Sequence, residues 1–244
     1  MNLLQTRPVA RGNEIRVYVN HCKLEASVIA IDIALDPSIR QNLIAAELLA
    51  MRYALSELGL GGFDRKHGRG LLLEVTHGAI RKLSRLDSAF QALAPFAQFI
   101  QTRYLGAEIE VNKDDFAWAR DEDVAKVHRI GCDPVPEQIH TRFGSMVPTA
   151  HILQCMVDRA MTAGLDRALN VLTTQLTSID TRRLAWSDAA AARCRVRYGK
   201  DSELLYHRSS QNMFVVTREP DGVRRLVTAY KVDNLTNQHV EACA

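Results

Sequence analysis

The chain has 244 residues, 47% hydrophobic and 24% charged, with a formal net charge of +3. This is the composition of an ordinary globular protein and excludes a disordered or low-complexity chain; no apolar run reaches the roughly 20 residues of a membrane span. Five cysteines (Cys22, Cys132, Cys155, Cys194, Cys243) are scattered, odd in number and without CxxC spacing, which argues against a disulfide framework or zinc site and for a reducing, cytoplasmic location.

Residues 1–14 read as a loose arm without an apolar leader. Ile15–Val19 and Ala26–Leu35 read as two strands joined by the polar NHCKLE, an antiparallel hairpin. After Asp36 and Pro37 the pattern turns helical over SIRQNLIAAELLAMRYALSELG, with Ser38 or Asn42 as cap and Gly59–Gly62 as stop. Leu71–Thr76 is nearly continuous in apolar residues, the mark of a central strand. GAIRKLSRL and SAFQALAPFAQFIQTRYLG read as helices, the second bent near Pro95. Ala107–Asn112 alternates as a strand, and Asp121–Gly131 is expected to close this part as a helix.

Cys132–Pro148 holds three prolines and no sustained periodicity and reads as a linker, with a domain boundary near residue 140. Pro148 and Thr149 then open a helix in which Ile152, Leu153 and Met156 form an apolar stripe. His151 and Arg159 lie eight residues apart, so they project from nearly one side. LDRALNVLTTQL resumes the helix after Gly164. Residues 181–197 are mixed, with an Ala-rich helical centre capped by Ser187 or Asp188. Glu203–Arg208, Asn212–Glu219 and Arg224–Val232 follow as an antiparallel meander, and the tail from Asp233 is polar. Between Thr181 and Lys231 there are eleven Lys/Arg and five Asp/Glu, a bias that suits a polyanion such as RNA or a solvated basic face.

The first half, residues 1–140, resembles the ribonuclease H fold: an α/β mixed sheet with helices. Glu47 stands where that family has its helix carboxylate, VTHGAIRKL matches its strand-end stretch, and Asp121 or Asp123 matches the acidic residue of its last helix. The family reaction needs clustered carboxylates to hold two divalent ions. Here Asn20 or His21 stands for the first-strand carboxylate and His77 for the next. The resemblance therefore implies a degenerate site that binds nucleic acid or protein without cutting. The alternative is a Mg2+ site on Glu47, His77 and Asp123.

The second half, residues 141–244, is expected to be an α+β domain, helices first and the meander last. Its helix text, with Thr149, His151, Met156 and Arg159, and its final strand LVTAYKV resemble toxin-type ribonucleases of the RelE, barnase and colicin-nuclease superfamily. Cys155 stands where one group of these has arginine, and Ala160 where it has glycine. The resemblance implies a metal-free endoribonuclease of toxin or defence type, bacterial in context, with RNA as substrate, no cofactor, and an inhibitor or partner protein. His151 would be acid or base, Arg159 the phosphate clamp and Arg208 a second phosphate contact, with Thr228 and Tyr230 orienting the substrate. Arg182, Arg183 and Lys231 would bind nucleic acid, and His207 competes as acid or base. Against this stands the reading of Cys155 as core, of the arginines as a solvated face, and of the whole chain as a non-catalytic accessory factor.

Overall fold

The computed structural model describes residues 2–22, 28–34, 42–60, 68–85, 91–114, 116–185, 192, 195–197, 202–220 and 222–232. It is a mixed α/β structure in two compact units, residues 1–136 and 137–244, each built on one six-stranded mixed sheet. Ser38, the Ala-rich centre with Ser187 and Asp188, and the tail from Asp233 lie outside the described residues.

The first unit begins with β1 (Asn2–Arg11), which replaces the expected arm. β2 (Glu14–His21) and β3 (Val28–Ile33) continue the antiparallel meander. α1 (Asn42–Ser56) returns the chain to β4 (Leu71–Val75), which pairs parallel with β1. α2 (Gly78–Ser84) and α3 (Ala94–Thr102) lead to β5 (Glu108–Val111), parallel to β4, and β6 (Val124–Ile130) runs parallel to β3. The strand order is β5-β4-β1-β2-β3-β6.

β1 carries Pro8 although it lies inside the sheet. The last β1–β4 pair is Gln5–Glu74, so at Pro8 that flank has no ladder to serve and the missing N–H costs little. Asp121–Gly131 is not a helix. Asp121–Asp123 form one 3-10 turn, and the rest is the edge strand β6, whose Lys126, His128 and Arg129 suit an unpaired edge. The apolar spacing of Val124, Val127 and Ile130 imitates a helical stripe.

Leu4, Val17, Ile31, Leu73 and Val75 point from the sheet into one core with Leu48, Met51 and Leu55 of α1. Ala45, Ala46, Ala50 and Ala54 are fully buried, so the α1 backbone lies close to the strands. Each large apolar side chain enclosed in this way contributes about 1.5–3 kcal/mol.

β5 and β6 are the two outer strands, about 24 Å apart at ordinary strand spacing. Between them in sequence, residues 112–114 and 116–123 lie across the face opposite α1. Arg7 stacks on Phe116 at 3.3 Å. Asp121 accepts from Arg11, from Arg16 Nη1 at 2.9 Å and from Tyr18 Oη at 2.8 Å. Arg16 also grips the buried Asp32 through two bonds of 2.7 Å. The hydrogen bonds from Arg11, Tyr18 and Arg16 hold the Asp121 carboxyl at about 2, below its ordinary 3.8. A depressed carboxyl stabilises the fold above its unfolded value, and this contribution fades as pH falls from about 4 towards 2. Asp121→Asn is therefore expected to lower stability at neutral pH and to flatten its decline between those pH values. Urea titrations at a series of pH values measure this, and an unchanged slope would count against Asp121 holding the segment before β6 to Arg11, Arg16 and Tyr18.

The second unit corrects the expected linker. Within it, β7 (Ile139–Thr141) and β8 (Gly144–Pro148) form an antiparallel hairpin. α4 (Ala150–Asp158) follows, with Thr149 as N-cap accepting from Ile152 N, and α5 (Leu165–Thr177) packs beside it. β9 (Thr181–Leu184) occupies the start of the stretch read as mixed, and β10 (Ser202–His207), β11 (Asn212–Arg218) and β12 (Arg224–Lys231) complete an antiparallel run. β8 pairs parallel with β12 at Val147–Arg225 and Pro148–Leu226, which makes the sheet mixed, in the order β7-β8-β12-β11-β10-β9. Ile152, Leu153 and Met156 of α4 meet Ala168, Leu172 and Leu176 of α5 over Leu205, Phe214, Leu226 and Ala229 of the sheet.

Candidate active site

β8 ends at Pro148 after two pairs with β12, and the chain turns into α4. Beyond that point the flank of β12 is covered by α4 side chains. The β11–β12 register shifts between Val215 and Val216, which places Val227 in a bulge just before Thr228. Thr228 is 1% exposed and lies against α4.

His151, Cys155 and Arg159 are spaced by four residues, one above the other on α4. His151 is exposed in the first turn and Cys155 is buried one turn on. Arg159 is the C-cap, and Ala160 follows with φ of +52°, the left-handed position that favours glycine. Arg159 Nη1 donates to the Ala229 carbonyl and, at 3.3 Å, to Thr228 Oγ1, while its guanidinium lies 4.5 Å from the Tyr230 ring centre. Thr228 Oγ1 donates to Cys155 Sγ at 3.6 Å, and Cys155 Sγ lies 3.3 Å from His151 Nε2. Of the residues singled out in the sequence, Arg159 meets Thr228 and Tyr230 of β12, and His151 is joined to them through Cys155. Sequence reasoning placed Cys155 in the core. The i, i+4, i+8 spacing with His151 and Arg159 was the signal that could have added it to the group.

The remaining residues do not join this cluster. Arg208 is exposed in the β10–β11 turn, two strands from β12, with its backbone N–H on Asp180 O. His207 Nδ1 is 2.7 Å from Ser210 Oγ, and burial lowers the pKa of its ring despite Asp180. Arg182 is exposed, and Arg183 pairs with Glu203 at 3.1 Å. Arg224 Nη2 also reaches Glu203, at 2.8 Å. Lys231 is exposed at the end of β12.

In the first unit, Glu47 is fully buried on α1. Its Oε1 accepts from Thr6 Oγ1 at 3.0 Å and from Thr76 N at 2.6 Å, and its Oε2 meets His77 Nδ1 at 2.7 Å. A carboxylate only accepts, so Nδ1 carries the proton. Thr6, on the strand that sequence reasoning missed, is the β1 residue bonded to Glu47. Asn20 instead donates to Gln5, which donates to Glu74 on the opposite face. Asp123 precedes β6, three strands away from β1, and is not among Glu47's partners. Among the described residues, no group of three or more His, Cys, Asp or Glu is placed to hold a metal ion. None of the described helices is long and apolar enough to cross a membrane. The sequence matches no protein-family model, and comparisons with curated proteins and with solved structures find no match to either.

Proposed function

We propose that the chain acts on RNA and that residues 137–244 cut it without a metal ion. The observation that carries this reading is the convergence of α4 and β12, which sets Arg159 against Thr228 and Tyr230, with His151 joined through Cys155. RNA supplies its own nucleophile, the 2′-hydroxyl. The protein need only move protons and stabilise charge on the phosphate. A histidine suits the first task and an arginine fork the second. Nη1 of Arg159 is bound to β12, which fixes the plane of the fork; among the described residues Nε and Nη2 have no hydrogen-bond partner, and they would meet phosphate oxygens. Arg182, Lys231 and Arg208, all exposed, would follow the RNA backbone by charge alone.

Residues 1–136 are proposed to have a ribonuclease-H-like arrangement that recognises RNA or a partner protein without cutting. The order β5-β4-β1-β2-β3, with only β2 reversed, supports this. Glu47 has both oxygens occupied inside the core, and Thr6 and His77 stand beside it in place of further carboxylates. The same burial favours the second reading, an accessory factor that binds and does not cut.

The test is cleavage of a mixed RNA pool by the full chain, with and without EDTA. Cutting that survives EDTA and falls at least about 100-fold in His151→Ala is the expected result. Cutting abolished by EDTA, or unchanged in His151→Ala, overturns the assignment. RNA retained but never cut supports the accessory reading.

A further inference from the structure

We infer that Cys155 is the positioning residue of the α4–β12 cluster: its thiol donates to His151 Nε2 and so fixes the imidazole with its proton on Nδ1. This rests on the reading of that cluster as a ribonuclease site, although the tautomer itself can be measured without any activity.

The direction of the hydrogen bonds follows from the ends of the chain of contacts. Arg159 only donates, so Thr228 Oγ1 accepts from it at 3.3 Å. The threonine hydroxyl then has its own hydrogen to place, and it points to Cys155 Sγ at 3.6 Å. The sulfur, 5% exposed at the residue level, thus receives a donor and still carries one hydrogen. Among the described residues, the acceptor within reach of that hydrogen is His151 Nε2 at 3.3 Å. An imidazole accepting at Nε2 holds its proton at Nδ1. Cys155 is buried, one turn into α4 from the exposed His151, so its thiol is shielded from solvent. His151 is exposed, so what faces an incoming phosphodiester is a donor, Nδ1–H, and not a base.

This assigns the acid half of the reaction to His151. The 2′-oxygen forms its bond to phosphorus and its proton passes to solvent water. The bond from phosphorus to the 5′-oxygen breaks, and the Nδ1 proton passes to that oxygen. The thiol proton moves to Nε2, leaving a thiolate beside the Thr228 hydroxyl and near the Arg159 guanidinium. Solvent then returns one proton to the site.

The experiment is long-range proton–nitrogen NMR on the full chain with nitrogen-15 histidine, His151 being assigned by its missing signal in His151→Ala. The wild type is expected to show His151 with Nδ1 protonated. Cys155→Ala should release the ring to the other tautomer or to a mixture. Cys155→Ser, which keeps a donor, should retain the wild-type pattern. In cleavage assays Cys155→Ala should lower kcat about tenfold with KM within about twofold, and Cys155→Ser should stay within about threefold of wild type. A wild-type ring protonated at Nε2, a doubly protonated ring facing a thiolate, or a tautomer unchanged in Cys155→Ala would each overturn the inference. If the tautomer pattern holds and no form of the protein cuts RNA, the positioning role stands and the ribonuclease reading falls.

Discussion

Glu47→Ala is expected to cost the first unit about 3–5 kcal/mol, seen as a lower urea midpoint at an unchanged m-value. The carboxylate is fully buried and joins three elements at one point: the Thr6 hydroxyl on β1, the Thr76 N–H at the end of β4, and the His77 ring at the N-cap of α2. Alanine takes the Glu47 acceptor from the Thr76 N–H, leaves the Thr6 hydroxyl only the Glu74 carbonyl at 3.4 Å and leaves the half-buried His77 ring to solvent, and it opens a space where the side chain stood. Each buried donor left unpaired costs about 1–3 kcal/mol, and the space adds to that. Glu47→Gln separates the two contributions. It fills the same volume, but one end of its amide presents N–H to a group that also donates, so one contact is lost and the rest survive. A cost of about half that of alanine is expected for it. If Glu47→Ala unfolds at nearly the wild-type midpoint, the view of Glu47 as an internal anchor is wrong, and a carboxylate available for a ligand becomes the better account. Metal chemistry would also need a second and third ligand, whereas Thr6 supplies a neutral hydroxyl and His77 already directs Nδ1 at Glu47.

The two misread elements in this unit failed for opposite reasons. β1 carries Gln5, Arg7, Pro8 and Arg11, so it lacks the apolar content that marks an interior strand. Its partners explain the composition. Gln5 is held by Glu74 and Asn20, Arg7 by Phe116, and Arg11 by Asp121. None of those pairings can be read from spacing within a strand, because each joins distant parts of the chain. β6 has the wrong period instead. Val124, Val127 and Ile130 satisfy a helix, and only pairing with β3 along the whole segment selects the strand. Missing β1 had a further consequence: Thr6, which bonds to Glu47 from that strand, was not among the residues considered for the polar centre.

The second unit was more legible because its signals are local. Thr149 before an apolar stripe and three strands closed by turn residues survive without knowledge of long-range contacts. The hairpin of β7 and β8 was hidden by Pro134 and Pro136 just before it and by Pro148 at its end, which also ends the short parallel pairing with β12. His151 and Arg159 were visible as one helix face. Their meeting with Thr228 and Tyr230 depends on the register of β12 and its bulge at Val227, which the sequence does not display.

Arg159→Ala is expected to reduce RNA cleavage about 10²–10³-fold, the usual effect of removing one donor that stabilises transition-state charge. The same change will lower stability modestly, because the Ala229 carbonyl and Thr228 hydroxyl lose their donor and Tyr230 loses its stacked guanidinium. The two effects must be separated, and Arg159→Lys does so. Lysine retains a positive charge and can still reach one acceptor, so much of the stability should return. It cannot offer two parallel N–H bonds to a phosphate while another N–H holds β12. Cleavage by Arg159→Lys should therefore remain at least about tenfold below wild type at a temperature where both variants are folded, as judged from their melting curves. If lysine restores cleavage fully, the residue supplies only charge and the clamp geometry is not used. If alanine cuts within about threefold of wild type, Arg159 is a strut between α4 and β12 and the phosphate must be held elsewhere, with the exposed Arg182, Arg208 and Lys231 the next residues to replace.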